Sequence, residues 1–272
     1  MTTFTTILAA ALLATAAIQP AMAEIHVEGS LYQGKDTAPG ATYRGAIAIR
    51  NGADAPVDVK LYLTDYSFSA DGVNHYGAPG TQPRSNGAWV HLAQEQVTVP
   101  PRAVVNVQYD VAVPAGTALS GSYWSMIMIE PLSPVEAAGA SALKKGQVRT
   151  AVTEVTRFGV QVASDIGLTG ARELQFAHPR LLKAKDGKSY LVVDVTNTGE
   201  RTLRPQLSLD LHDAKGAQRK GLPGGAQRLY PASAAQFQMD VSTVPAGVYR
   251  ALVTADAGGD DVFGSQFDLT ID

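Results

Sequence analysis

The chain has 272 residues, with 22 Lys and Arg against 25 Asp and Glu and a net charge of −3. The charges are mixed in sign along the sequence, which excludes the basic face that a phosphate backbone requires and with it a nucleic-acid partner. Cysteine is absent, which removes thiol catalysis, Cys-based zinc sites and disulfide staples together.

Residues 1–23 read as an export signal. Ile7 to Ile18 is almost purely apolar, and Ala21-Met22-Ala23 supplies a small-x-small cleavage pattern before Glu24. The segment before it, Met1 to Thr6, carries no Lys or Arg. The mature chain is expected to start at Glu24 and to work in the periplasm or outside the cell. No later apolar stretch reaches the length of a transmembrane helix, so no membrane span is expected in the mature chain.

From Glu24 onward the periodicity is that of strands. Ile25, Val27, Gly29 and Leu31 alternate with polar residues, as do Val57, Val59, Leu61 and Leu63. Val105, Val107, Tyr109, Val111 and Val113 form another two-residue repeat, bounded by Pro100-Pro101 and Pro114. Met126-Ile127-Met128-Ile129 is apolar on both alternating faces and predicts a central strand buried on both sides. Turn signals punctuate the chain at Pro39-Gly40, Asp71-Gly72, Pro79-Gly80 and Pro223-Gly224-Gly225. The Ala-rich stretch Ser133 to Lys145 lacks an amphipathic stripe and is expected to be a loop. The last two strands of the first half are expected at Tyr123 to Leu132 and Val148 to Val162.

One pattern occurs twice. Gln108-Tyr109-Asp110-Val111-Ala112-Val113-Pro114-Ala115-Gly116 returns one residue longer as Gln238 to Gly247, and Ala46 to Asn51 matches Leu191 to Asn197. Each copy is long enough to bury its own core, so the repeat is a domain and not a solenoid unit. The prediction is an all-β chain: two tandem immunoglobulin-like antiparallel β-sandwiches after a cleaved signal peptide. The first spans 24–166 and the second 171–272, joined by the hinge Gly167-Leu168-Thr169-Gly170. So short a hinge should leave the two as a bent, touching pair with a cleft between them.

The copies differ in two loops. The first carries an insert from Asn74 to Trp89 and a long loop from Ser133 to Gln147. Loops enlarged on a rigid scaffold are where binding usually sits. Tyr76, Arg84 and Trp89 share the insert, and aromatic residues with arginine are the composition of recognition surfaces.

A catalytic reading fails on inventory. His26, His75, His91, His178 and His212 show no metal-binding spacing, and the chain has neither a Gly-x-Ser-x-Gly elbow nor His-Glu-x-x-His. Asp256-x-Gly-Gly-Asp260-Asp261 lacks the alternating acids of a calcium loop and reads as a hairpin turn. No catalytic residue, metal or cofactor is expected, and the protein is read as a binding protein.

The run Tyr123-Trp124-Ser125-Met126-Ile127-Met128-Ile129-Glu130-Pro131, then a long loop, then the strand from Val148, resembles the end of the first domain of periplasmic pilus chaperones. The resemblance implies that the last strand lends alternating apolar residues to an incomplete pilin-like subunit. By position these are Val148, Val152, Phe158, Val160 and Val162. An edge strand with exposed backbone groups is a ready template for such β-augmentation. The chaperones also carry a basic residue on the first strand, which anchors the subunit's terminal carboxylate. Here Glu24 to Tyr32 offers only His26, and Arg157 could stand for the basic residue of the last strand. A second stretch, Ile47-Ala48-Ile49-Arg50-Asn51 with Asp65-Tyr66-Ser67-Phe68 and Trp89, is similar to the peptidoglycan-binding immunoglobulin-like domain of WxL-interacting bacterial surface proteins. That family implies a cell-wall polymer or partner surface protein, for which the insert residues Tyr76, Arg84 and Trp89 are the alternative binding site. Both alternatives place the ligand outside the cytoplasm.

Overall fold

A computed structural model of the protein describes residues 25–116, 118–132, 156–216 and 218–272. The export signal, Val148, Val152 and the loop Ser133 to Gln147 lie outside the described residues.

Alternation positions the strands. In β8 (Val104–Ala112) the buried Val107, Tyr109 and Val111 interleave with the outward Asn106, Gln108 and Asp110. The first sandwich sets the sheet β1 (Ile25–Glu28), β3 (Thr42–Asn51), β8 and β6 (Val90–Leu92), in that order, against a second sheet. The second sheet orders β2 (Tyr32–Thr37), β10 (Phe158–Ile166), β9 (Gly121–Pro131), β4 (Val57–Phe68) and β5 (Asn74–Gly77), with β7 (Gln96–Val99) also on β4. Ile47, Ile49, Leu61, Val107, Ile127, Ile129, Val160 and Val162 fill the space between them.

The second sandwich sets β11 (Leu174–Lys183), β12 (Ser189–Asn197) and β15 (Ala234–Asp240) against β14 (Gln218–Ala226), β13 (Gln206–Asp213), β16 (Gly247–Asp256) and β17 (Val262–Ile271). Its core holds Leu191, Val193, Leu207, Leu209, Phe237 and Val253. The architecture is all-β and immunoglobulin-like in both halves.

The duplication is visible residue by residue. Asn51 ends β3 and Asn197 ends β12, and both are fully buried. Asn51 Nδ2 donates to the Ala55 and Val99 carbonyls, and Asn197 Nδ2 to those of Arg201 and Leu229. Each Oδ1 accepts the N–H two residues on, from Ala53 and Gly199. The turns that follow Val99 and Leu229 each use a left-handed non-glycine residue, Arg102 with φ 55° and Ala232 with φ 62°.

Two expectations are corrected. The alternation from Ile25 to Leu31 is not one strand. Gly29 takes φ +85°, a conformation that breaks the pleat, and the chain crosses from one sheet to the other, leaving Leu31 47% exposed. The sandwich is also not purely antiparallel, because β2 pairs β10 in parallel. Met126 to Ile129, by contrast, lie in β9 between β10 and β4 and are buried on both faces, as their composition predicts.

Candidate functional site

The strand singled out by the sequence is β10, and its two edges are unequal. β9 covers one side along its whole length, from Phe158–Ile129 to Ile166–Gly121. β2 covers the other side only from Gln161 onward, where the Gln161 N–H donates to the Leu31 carbonyl at 2.8 Å. Successive residues of a strand turn their N–H and C=O to opposite sides. Because Gln161 faces β2, Gly159 faces the same side, and no strand lies beside it among the described residues. Phe158 and Val160 turn theirs to β9.

The side chains divide differently from the sequence expectation. Val160 and Val162 are 0% exposed and belong to the core of their own sandwich, so they are not free to enter a partner. Even positions of β10 point inward, and the alternation that suggested an offered face is that of the core. Phe158 is half-buried at the start of the row, its ring 6.4 Å from that of His26. Arg157 pairs with Glu130 at 2.7 Å. Gly159 lets Met126 lie across the strand, since a Cβ there would fall 2.2 Å from its Sδ.

At its other end β10 runs into the junction of the two sandwiches. Backbone approaches backbone there: a Cβ on Gly121 would sit 2.2 Å from the Glu200 carbonyl oxygen, and one on Gly170 would sit 2.6 Å from Gly121 Cα. Ser122 N–H donates to Glu200 O at 2.9 Å, and Thr202 N–H to Ser122 Oγ at 2.8 Å. Tyr230 of the second sandwich stacks on Trp124 of the first and donates its hydroxyl to Gln161 Oε1. Burial, with Tyr32 nearby, holds the Tyr230 hydroxyl well above the usual phenol range. Arg201 donates to the Gly167 carbonyl at 2.6 Å and reaches Asp36 at 3.3 Å.

Arg228 is the residue beside this edge that sequence reading missed. Its guanidinium lies 3.2 Å from the centre of the Tyr32 ring, and Tyr32 is the β2 residue opposite Gln161. Burial first, and then the Asp165 carboxylate, raise the Tyr32 hydroxyl above its ordinary value. Arg228 has no ion pair among the described residues. No spacing in the sequence marks it, because it reaches β2 only across the junction.

Of the alternative residues, Trp89 and Arg84 meet at Tyr123, while Tyr76 lies apart. Trp89 is 9% exposed in the first core, its ring 4.8 Å from that of Tyr123. Arg84 lies over the Tyr123 ring and pairs with Glu200 across the junction at 2.8 Å. Tyr76, 57% exposed on β5, packs its ring 5.6 Å from Tyr66. What organises the insert is Asp65, 1% exposed. Its carboxylate accepts the N–H groups of Gly80, Thr81 and Gln82 and the hydroxyls of Thr81 and Ser85.

No family model and no curated protein matches the chain. Among solved structures it is similar to the class 5 fimbriae chaperone CfaA, with a TM-score of 0.46 at 8% identity over 89% of this chain and 98% of that one. It is also similar to the CupB2 chaperone of Pseudomonas aeruginosa, with a TM-score of 0.41 at 13% identity over 90% of this chain and 100% of that one. For the E. coli chaperone DraB the TM-score is 0.42 at 12% identity, over 92% of this chain and 97% of that one.

Proposed function

We propose that this is a non-enzymatic, extracytoplasmic binding protein of pilus-chaperone type, which holds an extended polypeptide of a pilin-like subunit on the open edge of β10. The observation that carries the reading is the open-side backbone of Gly159, just before β2 takes over the edge at Gln161. Unpaired strand groups gain most by pairing with another strand, and main-chain bonds hold such a segment whatever its sequence. Phe158 is the apolar contact at this edge, and Val148 and Val152 continue the row upstream in the sequence. Arg228 is the cation proposed to receive the subunit's terminal carboxylate, the role the resemblance gives to a basic residue on the first strand. Trp89 is buried against Tyr123 and Tyr76 lies apart on Tyr66, so the three do not form one exposed surface, which favours this reading over a wall-binding one.

The test compares Gly159→Pro with Gly159→Ala. Both displace Met126, whose Sδ an added Cβ would meet, but only proline removes the open-side N–H. With polypeptide captured from envelope extract, the unsubstituted protein should protect the Gly159 amide from exchange, the alanine variant should retain the client, and the proline variant should lose it. Equal capture by the two variants, with unchanged exchange at Gly159 of the unsubstituted protein, would overturn the proposal.

A further inference from the structure

The junction has a second side, away from the β10 edge. There the hairpin of β4 and β5 reaches over the second sandwich, and Phe68 packs against its core. Between them opens a cleft of about 220 Å³ that is lined by Tyr66, Phe68, Asp71 and Asn74 from the first sandwich and Gln227 and Gln236 from the second. A pocket between two modules, part aromatic and part polar, is a usual setting for a ligand group.

The chemistry of the lining narrows what fits. The rings of Tyr66 and Phe68 are splayed, 5.8 Å apart at 42°, and both are half-buried. The Tyr66 hydroxyl donates to Asn74 Oδ1 at 2.9 Å. Asp71 is the charged residue of the lining, and it is set in a turn where Ser69 Oγ donates at 2.6 Å and the Val73 N–H at 3.1 Å. Those donors, Ser69 first, keep its carboxyl below the usual range and therefore ionised. Gln227 and Gln236 make no side-chain hydrogen bond among the described residues, so their carbonyls stand ready as acceptors. No Lys or Arg lines the cleft, so an anion would meet repulsion and no partner. Aromatic faces attract a cation with an alkyl stem, and a carboxylate with amide carbonyls completes its coordination.

We propose that this cleft takes a basic side chain of a bound polypeptide, with its methylenes against Tyr66 and Phe68 and its cationic head at Asp71, Gln227 and Gln236. The inference does not rest on the strand-edge reading, because the cleft lies at the β4–β5 side of the sheet and the open stretch of β10 at the other.

The experiment titrates the full-length mature protein with N-acetyl-lysine amide, N-acetyl-arginine amide and the neutral isostere N-acetyl-norleucine amide, while the side-chain amide signals of Gln227 and Gln236 are followed by NMR. One or both basic probes should shift these signals saturably, and which one does so distinguishes ammonium from guanidinium. Norleucine should bind at least about fivefold more weakly, and Asp71→Asn should weaken the basic probe by a similar factor, the worth of one exposed ion pair. Asparagine keeps the acceptor for Ser69 and Val73, so the turn is retained. Equal binding of norleucine, no loss in Asp71→Asn, or shifts confined to residues outside the cleft would each overturn the assignment.

Discussion

The indole of Trp124 and the phenol ring of Tyr230 lie stacked, 4.7 Å apart and 18° from parallel, one from each sandwich. Ala163 completes the buried cluster, with Tyr32, Tyr66 and Phe68 around it. Tyr230 is where duplication turned to new use. It occupies the turn position that Pro100 holds in the first copy, directly after the residue whose carbonyl the buried asparagine binds. In the second copy that position carries a ring 1% exposed, and the ring joins the modules.

Tyr230→Ala should cost about 3–5 kcal/mol, as truncation of a large buried aromatic does, and Tyr230→Phe about 1 kcal/mol for the lost bond to Gln161. A double-mutant cycle with Trp124→Ala should give a coupling of about 0.5–1.5 kcal/mol, the worth of an aromatic pair beyond its area. Urea denaturation followed by tryptophan fluorescence measures all three, and a coupling near zero would remove the stack from the account of the junction.

Gly121→Ala should open the junction. Gly121 has φ +71° and no room for a Cβ against the Glu200 carbonyl, so the substitution combines strain with a clash between backbones and should cost at least about 2 kcal/mol. Solution scattering should show a longer particle, with Trp124 fluorescence shifted to the red. An unchanged scattering profile would mean that the contact is not what holds the angle.

Asp65→Ala should unravel the insert without touching β10. It leaves three backbone N–H groups without their charged acceptor, each a bond worth about 1.5–3 kcal/mol. Amide exchange of Gly80, Thr81 and Gln82 should rise by orders of magnitude, while that of Val160 and Val162 stays slow. Equal acceleration at both places would show that the insert and the sandwich unfold together.

Asn51→Asp and Asn197→Asp should each destabilise their own sandwich by about 3 kcal/mol, because a carboxylate turns acceptors toward carbonyls that need a donor. Both tryptophans, Trp89 and Trp124, are in the first module. The Asn51 variant should therefore lower the transition in which Trp89 loses Tyr123, whereas the Asn197 variant should lower the far-ultraviolet circular dichroism transition and the one in which Trp124 loses Tyr230, leaving that of Trp89 in place.

Alkaline unfolding should track Tyr109. Burial, with Tyr43 alongside, pushes its hydroxyl up to about 12, and it donates to Gln33 at 2.6 Å. The folded pKa is raised above the unfolded value near 10. The stabilisation is therefore full below about pH 10 and is lost as pH rises from there through about 12. Tyr109→Phe should flatten this part of the stability curve measured by denaturant melts, and a curve that keeps its slope would assign the loss to another phenol.

Legibility followed the range of each interaction. The two-residue period of Val105 to Val113, the doubly apolar run of β9 and the repeated asparagine were readable because they report one residue's relation to its own strand or turn. The switch at Gly29 was not, since glycine in an alternating run is compatible with either a strand or a break. The row ending in Val160 and Val162 illustrates the limit well: alternation tells that one face of a strand is apolar, but not whether that face meets the molecule's own core or a partner.

By itself the sequence determined the class of the fold, its duplication and the identity of the strands, because main-chain periodicity and buried capping groups are local. Only the tertiary structure decided where β2 stops covering β10, that Arg228 rests on Tyr32, and that Tyr66, Phe68 and Asp71 share a cleft with Gln227 and Gln236. Each of these joins residues far apart in the chain, and their meeting depends on how the two sandwiches pack together, which no pattern within either one encodes.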